Sequence, residues 1–314
     1  MNLKRLRRRT GFHLLRSLAA LRARRGMAAV AATGDRLGRW HHRLARGQRR
    51  LLEQQLCRLF SLESSDPRPA TWLEDSYRIN DRAIFEILAM YSGRMSIADV
   101  AEHCAVDQLQ VLDQALEKGR GVVLLGWHMG NGVSMATRLG QLGYPISVVF
   151  RESRKIQPEF YPRGLGFMGL DAIGAQPPAV GFRRMLKALK QNRVIYILMD
   201  QGIKHGIETP FLGKHVPMPP GPAELVRRTG CALVSAPLTG VVPRWQFGLE
   251  RVDIIDPQEE LEASVEKLSR IMENRILERP EWWTWHQRRW PRYPFLDSPE
   301  QNPAGRHDKT HEDL

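Results

Sequence analysis

The chain of 314 residues carries 47 Lys and Arg against 34 Asp and Glu, a net charge of +13, and the excess is confined to one end. Residues 1–50 hold fifteen basic side chains and one acid, Asp35, which leaves 32 basic and 33 acidic residues for the remainder. A neutral body excludes a nucleic-acid-binding fold with a basic core. Cys57, Cys104 and Cys231 have no paired spacing and so imply neither a disulfide framework nor a metal cluster, and no apolar run approaches the ~18 residues of a membrane-crossing helix.

The basic arm comes first. Between Arg16 and Arg36 the chain alternates Leu and Ala with Arg22, Arg24 and Arg25, while Leu14, Leu18 and Leu21 share one helical face. That is the composition of a helix lying in the headgroup region of an anionic membrane. A solvated basic tail and an Arg-rich, acid-poor transit peptide fit the same stretch. From Gly38 to Phe60 the basic helical character continues over a stripe of Leu51, Leu52, Leu56, Leu59 and Phe60, with His41 and His42 expected to be solvated. The run Ser64 to Pro69 breaks it. Trp72 to Tyr91 is again apolar at helical period, and a further helix is predicted from Asp107, a plausible cap, to a stop at Gly119. The first 120 residues therefore read as all-helical. The organisation expected is a basic amphipathic arm over 1–60, a domain over 61–296 with a helical lead-in over 61–120, and a polar, disordered tail over 297–314.

From Gly121 the pattern changes to strand, helix, strand. Val122 to Leu125 is a short β-branched run bounded by glycine, which reads as a strand buried on both faces, and His128 lies just past its end. Gly130, Asn131 and Gly132 then allow a sharp turn before a helix beginning near Ser134. Pro145 to Phe150 is a second strand followed directly by Arg151, and Val194 to Met199 a third running into Asp200 and Gln201. Cys231 to Leu238 and Phe247 to Ile254 are predicted as the fourth and fifth. Helices are predicted around Phe182 to Leu189, whose outer face holds Arg183, Arg184 and Lys187, over Pro222 to Arg228, and over Glu259 to Arg279. Such alternation implies an α/β fold: a mostly parallel central sheet covered by helices, with an N-terminal all-helical region. If the first three strands are parallel neighbours, His128, Arg151 and Asp200 crowd along one carboxyl edge, where open α/β sheets hold ligands.

Plainer readings stand beside this one. Arg151 and Asp200 can form an ordinary ion pair at a sheet edge. The cluster Trp282, Trp283, Trp285 and Trp290, with Arg288 and Arg289, suits an interfacial belt or packing against the sheet. His205, His215 and His286 have no metal-ligand spacing, and no metal is expected.

The motifs Gly126-Trp127-His128-Met129-Gly130-Asn131, Val148-Val149-Phe150-Arg151, Asp200-Gln201 with Pro210-Phe211-Leu212-Gly213, the proline-rich turn and helix from Pro217 to Thr229, and the aromatic run Arg279 to Trp290 follow one another in order. In that order and spacing they resemble the bacterial lipid A late acyltransferase family, the lauroyl and myristoyl transferases related to lysophospholipid acyltransferases, over roughly Gly38 to Pro294. The resemblance implies transfer of a fatty acyl chain from an acyl carrier protein or coenzyme A thioester to a hydroxyl of a membrane lipid or saccharolipid such as lipid A, with no metal or redox cofactor. It implies His128 as general base, Arg151 as oxyanion or phosphate contact, and Asp200 as the partner that fixes Arg151. Gly130, Asn131, Ser134, Gln201, Phe211 and Gly213 are the implied substrate-binding residues, with backbone N–H groups near Gly130 and Asn131 facing the oxyanion. Expected partners are the acyl carrier protein or acyl-CoA, an anionic membrane surface and the lipid acceptor, not nucleic acid. The expected location is the cytoplasmic face of a bacterial inner membrane, bound peripherally.

This sequence departs from the family pattern at one position. The family's motif is His-x4-Asp or His-x4-Glu, with the acid five residues after the histidine, and that position is Val133. Three readings follow: another group, such as a backbone carbonyl, Ser134 or Asp200, orients His128; the enzyme is slow; or the site has lost catalysis and kept lipid or carrier binding.

Overall fold

The computed structural model describes residues 3–151, 157–287 and 290–296, with side chains from residue 10 onward. The tail expected to be disordered, and Arg288 and Arg289, lie outside the described residues. The chain opens with helices α1 (Leu3–Ala23), α2 (Met27–Leu44), α3 (Arg46–Leu59), α4 (Arg68–Met90) and α5 (Ile97–Glu102), then strand β1 (Cys104–Asp107) and α6 (Gln110–Leu116). Strands and helices then alternate: β2 (Val122–Gly126), α7 (Gly132–Gln141), β3 (Ile146–Phe150), α8 (Phe160–Phe167), β4 (Asp171–Gly174), α9 (Pro178–Lys190) and β5 (Val194–Leu198). There follow β6 (Ile207–Phe211), β7 (Lys214–Met218), α10 (Gly221–Thr229), β8 (Ala232–Ser235), β9 (Leu238–Gly240), β10 (Trp245–Gly248), β11 (Glu250–Arg251) and α11 (Leu261–Glu278).

The main sheet has six strands in the order β11-β8-β2-β5-β3-β4, parallel except for β11. β2 is buried along its whole length, as a central parallel strand must be when helices cover both faces. β5 lies between β2 and β3, so the three strands expected to be neighbours are neighbours.

The lead-in is not purely helical. β1 pairs in parallel with β10 and, with β9, makes a second sheet of order β1-β10-β9. Four residues between two helices give too short a run for alternation to show, and the helix predicted from Asp107 starts at Gln110 instead. The single strand predicted over Cys231 to Leu238 is two: β8 joins the main sheet and β9 the second, with Pro237 between them. The strand predicted over Phe247 to Ile254 likewise divides into β10 and β11, which belong to different sheets. The hairpin β6–β7 is masked in the sequence by Pro210 and Pro217 and by a lysine, Lys214, at a fully buried position.

α2 is packed into the body. A Cβ on Gly34 would stand 2.8 Å from the Arg82 Cα, and one on Gly38 would stand 2.6 Å from the Arg78 Cα, so this Gly-x3-Gly face lets the backbone of α2 lie directly on α4. Met27 and Val30 continue the contact into the core. His42 is consequently buried and His41 pairs with Asp81, where both were expected in solvent. The tryptophans of the C-terminal segment are buried as well: Trp285 packs edge-on against Trp283 at 4.7 Å and Trp290 at 5.0 Å, which makes them core and not a belt.

Candidate active site

The register of β2 and β5 sets the site. Gly126 pairs with Leu198, so the residues two positions beyond them, His128 and Asp200, leave the carboxyl edge side by side. The Asp200 carboxylate is buried, and each of its oxygens is used: Oδ1 accepts from His128 Nδ1 at 2.7 Å, while Oδ2 accepts from the His128 backbone N–H at 2.8 Å and from Trp283 Nε1 at 2.7 Å. Burial alone would raise the Asp200 carboxyl. The charge and N–H groups of His128 and the indole N–H of Trp283 outweigh it and hold this carboxyl below the ordinary carboxylate range. Because an ionised carboxylate can only accept, the proton sits on Nδ1 and the lone pair on Nε2.

The imidazole is 28% exposed and its carboxylate partner is not exposed at all, so one end is anchored and the other is open. Gln201 Nε2 lies 3.1 Å from His128 Nε2 and 3.3 Å from Nδ1. This amide nitrogen stands against the ring within hydrogen-bond reach of Nε2, so an incoming hydroxyl shares that side of the imidazole with Gln201. The same amide donates to Gln287 Oε1, fixing its orientation.

The turn after the histidine is tightly built. Gly130 has φ +66°, a left-handed conformation suited to glycine, and a Cβ on Gly132 would overlap the Tyr196 hydroxyl. Asn131 caps α7 by accepting from the Ser134 N–H at 3.0 Å and donates to Glu86 Oε2 at 2.9 Å. Asn131 and Ser134 are both fully buried, so their side chains brace this turn from behind. Phe211 packs edge-on to Trp283 and helps line a cavity of about 10 Å³ beside Asp200 and Gln201, while Gly213, at φ +71°, forms the bend of the β6–β7 hairpin.

Arg151 follows β3 on the same edge but is exposed, and it makes no hydrogen bond or ion pair among the described residues. The expected Arg151–Asp200 pair is not formed, because His128 and Trp283 take up the carboxylate. Val133 is only part-buried on α7, and Asp200, one of the three substitutes considered from sequence, occupies the orienting position. Trp283 and Gln287 come from the aromatic segment and Glu86 from α4; nothing in their spacing announced these contacts. Elsewhere, one side-chain group among the described residues has the composition of a metal site: His41 Nδ1, the Asp81 carboxylate and His286 Nε2 lie within 4.8 Å of one another, with Asp81 engaging His41 at 2.7 Å and His286 at 3.4 Å.

A parallel sheet that presents a carboxylate-held histidine at its carboxyl edge has the parts for general acid–base chemistry on a bound ligand. The sequence profile described as bacterial lipid A biosynthesis acyltransferase matches residues 7–292, and the chain belongs to that family. It is similar to the phosphatidylinositol mannoside acyltransferase of Mycolicibacterium smegmatis, 31% identical over 171 residues that make up 50% of this chain and 51% of the relative. It is also similar to the protein of the same name from Mycobacterium tuberculosis strain CDC 1551, 32% identical over 134 residues covering 40% of this chain and 41% of the relative. The alignments thus span about half the length of these curated relatives, or less.

Proposed function

We propose that the protein moves a fatty acyl chain from a thioester, carried on acyl carrier protein or coenzyme A, to a hydroxyl of a membrane lipid, with His128 as general base. The observation that carries this reading is the imidazole held at Nδ1 by the buried Asp200 and itself part-exposed at the sheet edge. Nε2 takes the hydroxyl proton as the oxygen attacks the thioester carbonyl, and Asp200 steadies the imidazolium that forms. The tetrahedral oxyanion is met by backbone N–H groups near Gly130 and Asn131 or by the Arg151 guanidinium, whose freedom from Asp200 leaves it available to an anionic substrate group. Collapse breaks the C–S bond, and the leaving thiolate receives the proton from the imidazolium. The thioester is the co-substrate and no further cofactor enters.

For the acceptor, the family description names lipid A and the relatives' name is phosphatidylinositol mannoside. Both are sugar-bearing lipids, so the acceptor proposed is a sugar hydroxyl of a membrane glycolipid, met at the cytoplasmic face of a bacterial inner membrane by a peripherally bound enzyme. No described helix is long and apolar enough to cross the membrane. Because Asp200 supplies the carboxylate that Val133 cannot, the ground for a catalytically silent homologue is weakened.

The test is transfer of a labelled acyl group from acyl carrier protein and from coenzyme A to membrane glycolipids, read by mass spectrometry. Wild type is expected to form an acylated glycolipid and His128→Ala to fall to background. Equal background transfer by both would remove the enzymatic reading.

A further inference from the structure

We infer that Glu86, a buried carboxylate on α4, is a positioning residue for the His128 turn, acting through Asn131. Its side chain has no solvent exposure and its two oxygens accept three hydrogen bonds. Oε1 takes the Arg82 Nε–H at 2.7 Å; Oε2 takes Asn131 Nδ2 at 2.9 Å and Trp245 Nε1 at 2.6 Å. Arg82 lies over the Trp245 ring at 4.4 Å, so the charge of the carboxylate is balanced next to it.

The consequence for the turn follows from hydrogen-bond polarity. Glu86 only accepts, so the Asn131 amide must point its NH₂ toward α4 and its carbonyl oxygen toward the Ser134 N–H, which is the orientation that caps α7. Trp245, held by the same oxygen, also closes on the turn: a Cβ on Gly130 would meet its ring at 3.0 Å. Chain direction from His128 to α7 is therefore fixed from beneath by one carboxylate. An acid at position 133 would have stood at the start of α7, directly after the turn. Here its work is divided, with Asp200 holding the ring of His128 and Glu86 holding the backbone that follows it.

This inference rests on the catalytic reading of His128, and its test has one arm that needs no substrate. Glu86→Gln sets an amide NH₂ against either Arg82 or the Asn131 and Trp245 donors, so the hydrogen bonds on one side of the group are lost. Asn131→Ser keeps a capping oxygen but loses the bond to Glu86. In both variants kcat is expected to fall ~100-fold, the effect of displacing a reacting group by about an ångström, with KM for the thioester unchanged. The exchanged pair Glu86→Gln with Asn131→Asp, made with Trp245→Phe to remove the indole N–H that the new NH₂ would otherwise meet, restores a donor facing an acceptor and retains a cap, and it is expected to recover most of kcat. The substrate-free arm follows carbethoxylation of His128 against pH by peptide mass spectrometry. Each single variant should change its rate several-fold, and the exchanged pair should return it to the wild-type profile. Unchanged His128 reactivity in Asn131→Ser overturns the proposal whether or not acyl transfer is ever detected. So does a loss of kcat in Glu86→Gln that only tracks thermal stability and that the exchanged pair does not relieve.

Discussion

Asp200 holds His128 at two points, the ring through Oδ1 and the backbone N–H through Oδ2, and these two residues lie 72 positions apart in sequence. A carboxylate that grips both the imidazole and the chain bearing it fixes ring position as well as tautomer. Asp200→Asn keeps the shape but presents an amide, so the ring can adopt the other tautomer and lose the lone pair at Nε2. The corresponding change in a serine-protease triad costs about ten-thousandfold, and a kcat loss of that order is expected here. Steady-state kinetics checks it, with circular dichroism confirming the fold. Val133→Glu in the wild-type background should leave kcat within a few-fold, because the orienting position is already filled. A large gain would show that Asp200 does not serve that purpose.

How much of this was legible beforehand depends on the range of each contact. β2, β3 and β5 announced themselves as short apolar runs ending in His128, Arg151 and Asp200, because a strand buried on both faces leaves that pattern locally. Which of the three polar residues would pair was not local information. Register places His128 and Asp200 at equal height on adjacent strands, and Trp283, arriving from the C-terminal segment, completes the carboxylate's hydrogen bonds. Charge alone favoured Arg151, and charge alone was the wrong guide. The splitting of β8 from β9 at Pro237 and the burial of His42 of α2 against Tyr77 of α4 are of the same kind, set by packing partners far along the chain.

The α2–α4 contact predicts a stability effect. Gly38→Ala puts a methyl 2.6 Å from the Arg78 Cα and 2.7 Å from the Tyr77 carbonyl oxygen, both backbone atoms that cannot move aside singly. Overpacking of this kind costs about 1–3 kcal/mol, and Tm should fall by several degrees. Gly11→Ala is the internal contrast. It lies within α1 with nothing near its Cβ, so the better helix propensity of Ala should leave Tm unchanged or raise it, by up to about 1 kcal/mol.

The group His41, Asp81 and His286 joins α2, α4 and the C-terminal segment, and its titration sets a pH window. Burial would raise the Asp81 carboxyl, but hydrogen bonds from His286 and His41 together hold it down at about 2. His41 is raised chiefly by its hydrogen bond to Asp81, with burial opposing. The depressed Asp81 contributes stability above its unfolded value and loses it as pH falls through the folded one. The raised His41 contributes fully below its unfolded value and loses it as pH rises through the folded one. The pair is thus strongest between about pH 4 and about pH 6.5, the two unfolded values. The difference in unfolding free energy between wild type and His41→Gln should peak in that window and shrink on both sides; a flat difference would show that the two groups are not coupled.

The basic arm presents apolar side chains that packing leaves uncovered. Leu14 is 66% exposed and Leu21 56%, seven residues apart on one face of α1, and Trp40 and Leu44 on α2 are exposed as well. Each leucine entering the acyl region gains about 1.5–3 kcal/mol, and each nearby arginine adds about 1 kcal/mol against an anionic leaflet. Two such leucines flanked by arginines suffice for reversible surface binding without a spanning helix. Purified protein is expected to float with vesicles containing anionic lipid, to bind neutral vesicles less, and to be released by salt. The double change Leu14→Glu with Leu21→Glu should weaken vesicle binding at least tenfold, since about 3 kcal/mol or more of burial is lost. Transfer to a short-chain acceptor dispersed in solution should be spared, because neither leucine touches the His128–Asp200 pair. Unaltered flotation of the variant would place the membrane contact on another face of the molecule.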